Sequence, residues 1–147
     1  AEMFGAQLGR SIAIGTQLSY ANLTKTNWQA ADLSGAYLDH ANLSSANLNA
    51  TRLTNVILRS ANLENASLRN ADLSLADLQG ANVAGADFQG AILSSSGLDP
   101  NDQFVQKPQI GVQSAVVKGV DFSQARNLDA KQLAYICTQG GIHPRCP

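Results

Sequence analysis

Residues 31–50 read ADLSG AYLDH ANLSS ANLNA, and this stretch decides the fold. It is four pentads in one frame, each with Ala first and Leu third. The frame extends in both directions. Stepping by five from Met3, the third positions are Met3, Leu8, Ala13, Leu18, Leu23 and Trp28, then Leu33 to Leu78 without a break, then Val83, Phe88, Leu93 and Leu98. Every one is apolar. Two residues before each stands a small side chain, among them Ala21, Thr26, Ala36, Thr51 and Ser96, with Val56 the largest. The other positions are mostly Asn, Asp, Ser, Gln, Gly or Arg.

Neither standard secondary structure can use a period of five. On an α-helix five residues advance about 140°, which spreads the leucines over every face. On a straight strand an odd step puts successive leucines on opposite sides. A chain that turns a corner every five residues resolves the conflict, because each short side then points its small residue and its leucine at a common axis. A second period sets the number of sides. Ala21-Asn22-Leu23 recurs as Ala41-Asn42-Leu43, Ala61-Asn62-Leu63 and Ala81-Asn82-Val83, a step of 20 residues, and Asn27 and Asn47 share it. Four sides per coil follow, with asparagines expected to pair amide to amide between coils. About five coils at roughly 4.8 Å spacing make a rod about 24 Å long.

The tandem A(D/N)Lxx pattern resembles the pentapeptide-repeat family. The resemblance implies an all-β fold, a right-handed quadrilateral parallel β-helix, over about two thirds of the chain. The first pentads, with Ser11 and Ala13, and the bulky Trp28 depart from the pattern.

The frame is lost at Gly97-Leu98-Asp99-Pro100, and turn-rich residues 99–109 read as a loop excursion. Pentads resume with Ala115-Val116-Val117 and Val120-Asp121-Phe122. Asp129 is a good N-cap with Gln132 at the capping-box position, so a helix is expected over 130–137, with Leu133, Ile136 and Cys137 on one face and Gly140-Gly141 ending it. A solenoid needs such a C-terminal α-helical cap, since a terminal coil exposes its core and its unpaired edge. The organisation expected is therefore a solenoid over 1–128 and a capping helix with its tail over 129–147.

The two cysteines are Cys137 and Cys146. A disulfide between them would pin the tail to the cap and imply an oxidising compartment. Two free buried thiols are an alternative, and so is a zinc site from Cys137, His143 and Cys146, which lacks an evident fourth ligand. Repeats followed by a capping helix and paired C-terminal cysteines are similar to lumenal family members of chloroplasts and cyanobacteria. That resemblance implies the thylakoid lumen. The chain starts at Ala1 in frame, as a processed or truncated product would.

Composition narrows the function. Aromatic residues are 5% and charged residues 14% of the chain, and the formal net charge is −1. Lys and Arg are scattered (Arg10, Lys25, Arg52, Arg59, Arg69), so no basic stripe exists to bind nucleic acid. No apolar run of about 18 residues is present, so membrane insertion is not expected. Some members of the resembled family imitate DNA and bind type II topoisomerases such as gyrase. That role needs a strongly acidic rod, and here eleven acids are offset by ten bases.

An enzyme would need converging titratable groups. Asp32, Asp72, Asp77 and Asp87 fall on separate sides or coils and read as solvated surface residues, Ser94 to Ser96 have no base nearby, and no cofactor pattern is present. One side is uneven. The side centred on Leu18, Leu38 and Leu58 carries Tyr20, Tyr37, His40, Ile57 and Arg59. Tyr and Arg are favoured at interaction hot spots, so this side is the candidate face for a protein partner. Self-association is expected at the N-terminal end, where Met3 and Phe4 would sit on an uncapped coil.

Overall fold

The computed structural model describes residues 2–94 and 114–146. Parallel bridges join the second residue of each pentad to its equivalent 20 residues on: Glu2 to Asn22 to Asn42 to Asn62 to Asn82 on one side, Ile12 to Asp32 to Arg52 to Asp72 to Ile92 on another. The bonding is uniform. Asn42 donates its N–H to Ala21 O at 2.9 Å and its C=O accepts from Leu23 N at 2.8 Å, so a second-position residue turns both backbone groups toward the coil before it. Each corner closes locally, as where Ala46 N donates to Leu43 O at 3.0 Å. One bridged residue per side leaves no room for an extended strand, and the sheet is a stack of isolated bridges.

The corner fixes the fifth position of the pentad. It lies in the left-handed region, as at His40 (φ 59°), Asn65 (φ 60°) and Gly85 (φ 71°). Asn and Gly reach that region most cheaply. At Gly85 a Cβ would stand 2.1 Å from Asn65 Oδ1, so glycine there also makes room for the side chain one coil away.

The expected asparagine ladder does not form, and amides meet between coils only in single bonds among the described residues, as where Asn27 Nδ2 donates to Gln7 Oε1 at 3.0 Å. Asn42, Asn62 and Asn82 each accept the N–H two residues on, from Ser44, Glu64 and Ala84, all at 3.0 Å. Asp32, Asp72 and Asp77 make the same bond with Ser34, Ser74 and Gln79. The turn must satisfy its own N–H, and a carbonyl or carboxylate oxygen on a short side chain does so within the pentad. This is why Asn and Asp interchange at the second position.

The core is four columns of leucines, Leu33 to Leu78 all fully buried, flanked by the small residues. Trp28 is also buried. Its Nε1 donates to Thr26 Oγ1 at 2.9 Å, and Thr26 in turn donates to Leu23 O at 2.5 Å, so the indole is satisfied inside the stack. The excursion expected over 99–109 lies outside the described residues. Beyond it the pentads resume one residue out of the original frame, with Val116 bridged to Asp77 and Arg126 to Asp87.

Helix α1 spans Ala130–Thr138 and starts on a full capping box: Asp129 Oδ1 accepts from Gln132 N at 2.7 Å, and Gln132 Oε1 accepts from Asp129 N at 2.8 Å. The face turned to the coil differs from the expected one. Gln132 and Ile136 are buried and Tyr135 donates its hydroxyl to Ala115 O, while Leu133 and Cys137 are only half-buried. The polar members belong there because the coil end offers carbonyls with acceptor capacity to spare, that of Phe88 already taking the Ala91 N–H and that of Ala91 having no backbone donor among the described residues. Gln132 Nε2 donates to Phe88 O at 2.8 Å and to Ala91 O at 2.9 Å.

After the helix the pentad returns once. Ile142 bridges to Asp121, donates to Val120 O at 2.8 Å and accepts from Phe122 N at 2.8 Å, and Cys146 N donates to His143 O at 3.0 Å. Gly141 and Cys146 thus take small-residue positions and His143 the leucine position. A Cβ at Gly141 would lie 2.5 Å from Ile136 Cγ2, so this side can pass under the helix only as glycine. The Cys137 and Cys146 sulfurs lie 2.06 Å apart, joining the helix end to this last side.

Candidate interaction face

The side carrying the aromatic residues is built from the column Gln17, Tyr37, Ile57, Asp77 and Val116. Tyr37 and Ile57 are second-position residues, which must point outward because the residues flanking them point in. Tyr20 and His40 are fifth-position residues at φ 63° and 59°, one coil apart at the same corner. The coil spacing turns that repeat into a stack: their rings lie 4.6 Å apart and 6° from parallel. All five candidates are brought to this one side and its corner.

Tyr20 is 72% exposed and Tyr37 42%. Arg59 is not a free cation, since its Nη1 lies 3.6 Å from Asp77 Oδ2. Beside the stack, Ser19 donates to Asp39 Oδ1 at 2.6 Å. The face therefore combines flat rings, an aliphatic strip and an ion pair that nearly cancels. Val116, also exposed, stands on the same side one coil beyond Asp77. The sequence signal for it is the resumed pentad Ala115-Val116-Val117, once its coil is placed above Asp77.

Elsewhere the acids are engaged. Hydrogen bonds from the Ser34 hydroxyl and N–H hold Asp32 below the usual carboxylate range, against slight burial and aided by Arg52. Ser123 does the same for Asp121. Asp87 is buried, unlike the solvated residue expected, because the resumed coil covers it. Burial pushes its carboxyl up, but Asn127 Nδ2 at 2.9 Å, Gln89 N at 3.0 Å and the nearby Arg69 and Arg126 outweigh this and hold it low. Burial raises the Tyr135 phenol, a hydrogen bond with Ser114 opposing it, so the ring keeps its proton.

A cleft of about 240 Å³ lies between the last coil and α1, lined by Ile92, Ser94, Asp129, Lys131, Gln132 and Tyr135. Its polar groups are largely committed to the helix cap. Among the described residues no three His, Cys, Asp or Glu side chains gather as a metal site, and no helix is long and apolar enough to cross a membrane.

Fold and face together define a repeat solenoid with one side that carries aromatic residues. The particular family follows from the pentads: the pentapeptide-repeat profile matches eight copies over residues 16–55 and 57–94, just over half of the chain, and the chain belongs to that family. Its fold is the right-handed β-helix. The chain is similar to the solved structure of Rfr23, a pentapeptide repeat protein of the cyanobacterium Cyanothece 51142, at 32% identity and TM-score 0.54, over 63% of this chain and 80% of that one. A pentapeptide repeat protein of the Arabidopsis thaliana thylakoid lumen is similar at 20% identity and TM-score 0.53, over 99% and 82%. A trypsin-treated form of QnrB1, a plasmid-mediated fluoroquinolone resistance protein, is similar at 21% identity and TM-score 0.66, over 84% of this chain and 54% of that one. No curated protein matches the sequence.

Proposed function

We propose that this chain is a non-catalytic protein-interaction module of an oxidising compartment of the thylakoid-lumen kind, docking its partner on the side of Tyr20, Tyr37, His40, Ile57 and Arg59. The observation that carries this reading is the exposed Tyr20–His40 stack beside Tyr37, on a rod whose other outward positions are mostly small and polar. Rigid aromatic area costs little conformational entropy when a partner covers it. In this reading residues 1–128 form the solenoid and 129–147 the cap, which keeps the face stiff.

The compartment rests on Cys137 and Cys146, a pair that persists as a disulfide only where thiols are not kept reduced. The likeness to a lumenal protein supports the fold and agrees with this placement. Mimicry of DNA is disfavoured, since Asp77 and Asp87 lie beside arginines and the net charge is −1.

Affinity capture from an oxidising-compartment extract tests the face. A protein retained by the native chain and lost with the Tyr37→Ala, Arg59→Ala variant supports it; equal retention by both refutes it. Thiol titration of the unfolded chain without reductant tests the compartment, with no free thiol expected and two free thiols overturning it.

A further inference from the structure

We propose that the ring face of His40 turned away from Tyr20 is a stacking site for an aromatic side chain of a protein partner, which enters as the third ring of the column that Tyr20 and His40 begin. This rests on the reading of that side as the docking face and names the chemistry the partner brings to it.

The corner builds the column. Tyr20, His40, Ser60 and Gly80 are successive fifth-position residues, all in the left-handed region at φ 63°, 59°, 60° and 75°. Residues of one backbone conformation at one corner send their side chains out in parallel, one coil apart. For Tyr20 and His40 the result is a stack with ring centroids 4.6 Å apart and planes 6° from parallel. That separation matches the roughly 4.8 Å between coils, so a third ring at the same step falls at the level of Ser60. Ser60 carries only a hydroxymethyl group there and is exposed, as is His40. Gly80 leaves the next level open in turn, since a Cβ on it would stand 3.1 Å from Ser60 Oγ. Tyr20 thus covers one face of the imidazole, and the other turns toward a level where this chain supplies no ring.

The geometry also selects the occupant. A flat ring held in place by a parallel neighbour is matched by another flat ring in offset stacking, which adds to the area it buries. Both resident rings are already oriented by the corner, so the ordering cost falls mainly on the incoming side chain. A guanidinium stacks on rings too. Arg59, however, precedes Ser60 and already brings a cation to this level, its Nη1 3.6 Å from Asp77 Oδ2. A second cation would meet the first, whereas a neutral ring would not. Tyr37 and Ile57, on the adjoining flat side, give the rest of the partner a surface to lie against.

The test is carbon–proton NMR of the full chain, read on the ring C–H signals of its two histidines, His40 and His143. The probe is N-acetyltryptophanamide. It should move the His40 signals upfield in a saturable way and leave those of His143 in place, while N-acetylleucinamide should move neither. Ser60→Tyr places a ring of the chain's own at the third level, on the backbone conformation that Tyr20 already adopts. Its His40 signals should lie upfield before any probe is added, and the probe should no longer move them. Ser60→Ala should behave like the native chain, and so should the Tyr37→Ala, Arg59→Ala variant, which leaves the stack intact. The absence of a saturable shift in the native chain overturns the proposal. So does an equal shift at His143, a probe shift that survives Ser60→Tyr, or a larger effect from N-acetylargininamide than from the indole. If capture depends on Tyr37 and Arg59 while the probe fails, the face stands and this stacking site falls. If the probe binds while capture is unchanged in that variant, the site stands and the wider face falls.

Discussion

Gln132 holds two roles that one substitution can separate. Its Oε1 closes the capping box on Asp129 N, and its Nε2 donates to Phe88 O and Ala91 O at the coil end. Gln132→Leu fills a similar volume and removes both. Loss of the capping half costs about 1 kcal/mol. The Phe88 carbonyl keeps the N–H of Ala91, but the Ala91 carbonyl loses its one donor among the described residues. An acceptor left bare in that way costs about 1–3 kcal/mol, so the sum is about 2–4 kcal/mol. Gln132→Glu keeps an acceptor for Asp129 N yet aims a carboxylate at two carbonyls, and should destabilise at least as much despite an intact cap. Urea unfolding followed by circular dichroism reads both as a lower midpoint at unchanged slope. If Gln132→Leu stays within about 0.5 kcal/mol of the native chain, or Gln132→Glu is the milder change, the rivet between helix and coil is refuted.

Two further outcomes follow from the terminal coil. Cys146→Ser opens a loop of sequence separation 9 and should lower stability by about 2.5–3 kcal/mol; adding reductant should bring the native chain down to the variant while leaving the variant unmoved. Asp87 is held below its ordinary range when folded, so its contribution is present above the unfolded value and lost as pH falls through the folded one. The native chain should therefore exceed Asp87→Asn in urea midpoint at neutral pH, with the gap closing below about pH 4; a gap independent of pH would show that the carboxylate is not held by its partners.

The period of five made the corners, the four sides and the inward columns legible, because a strict repeat leaves one geometry that buries every leucine. The outward side of Tyr20, Tyr37, His40, Ile57 and Arg59 followed from the same arithmetic, since register alone says which residues share a side. Asp129 and Gln132 likewise announced the helix start. What the sequence could not settle were choices between partners of equal local standing. Whether Asn42 would bond to its neighbour one coil away or to Ser44 N depended on which group lay nearer in the finished turn. The second role of Gln132, the burial of Asp87 under the resumed coil, and the turn of Arg59 toward Asp77 all arise where segments distant in sequence meet. The last pentad, Gly141 to Arg145, was written in the sequence but hidden by the helix before it. Periodicity fixes what faces inward because burial is common to every coil, whereas the pairing of polar groups is decided only when the stack sets their distances.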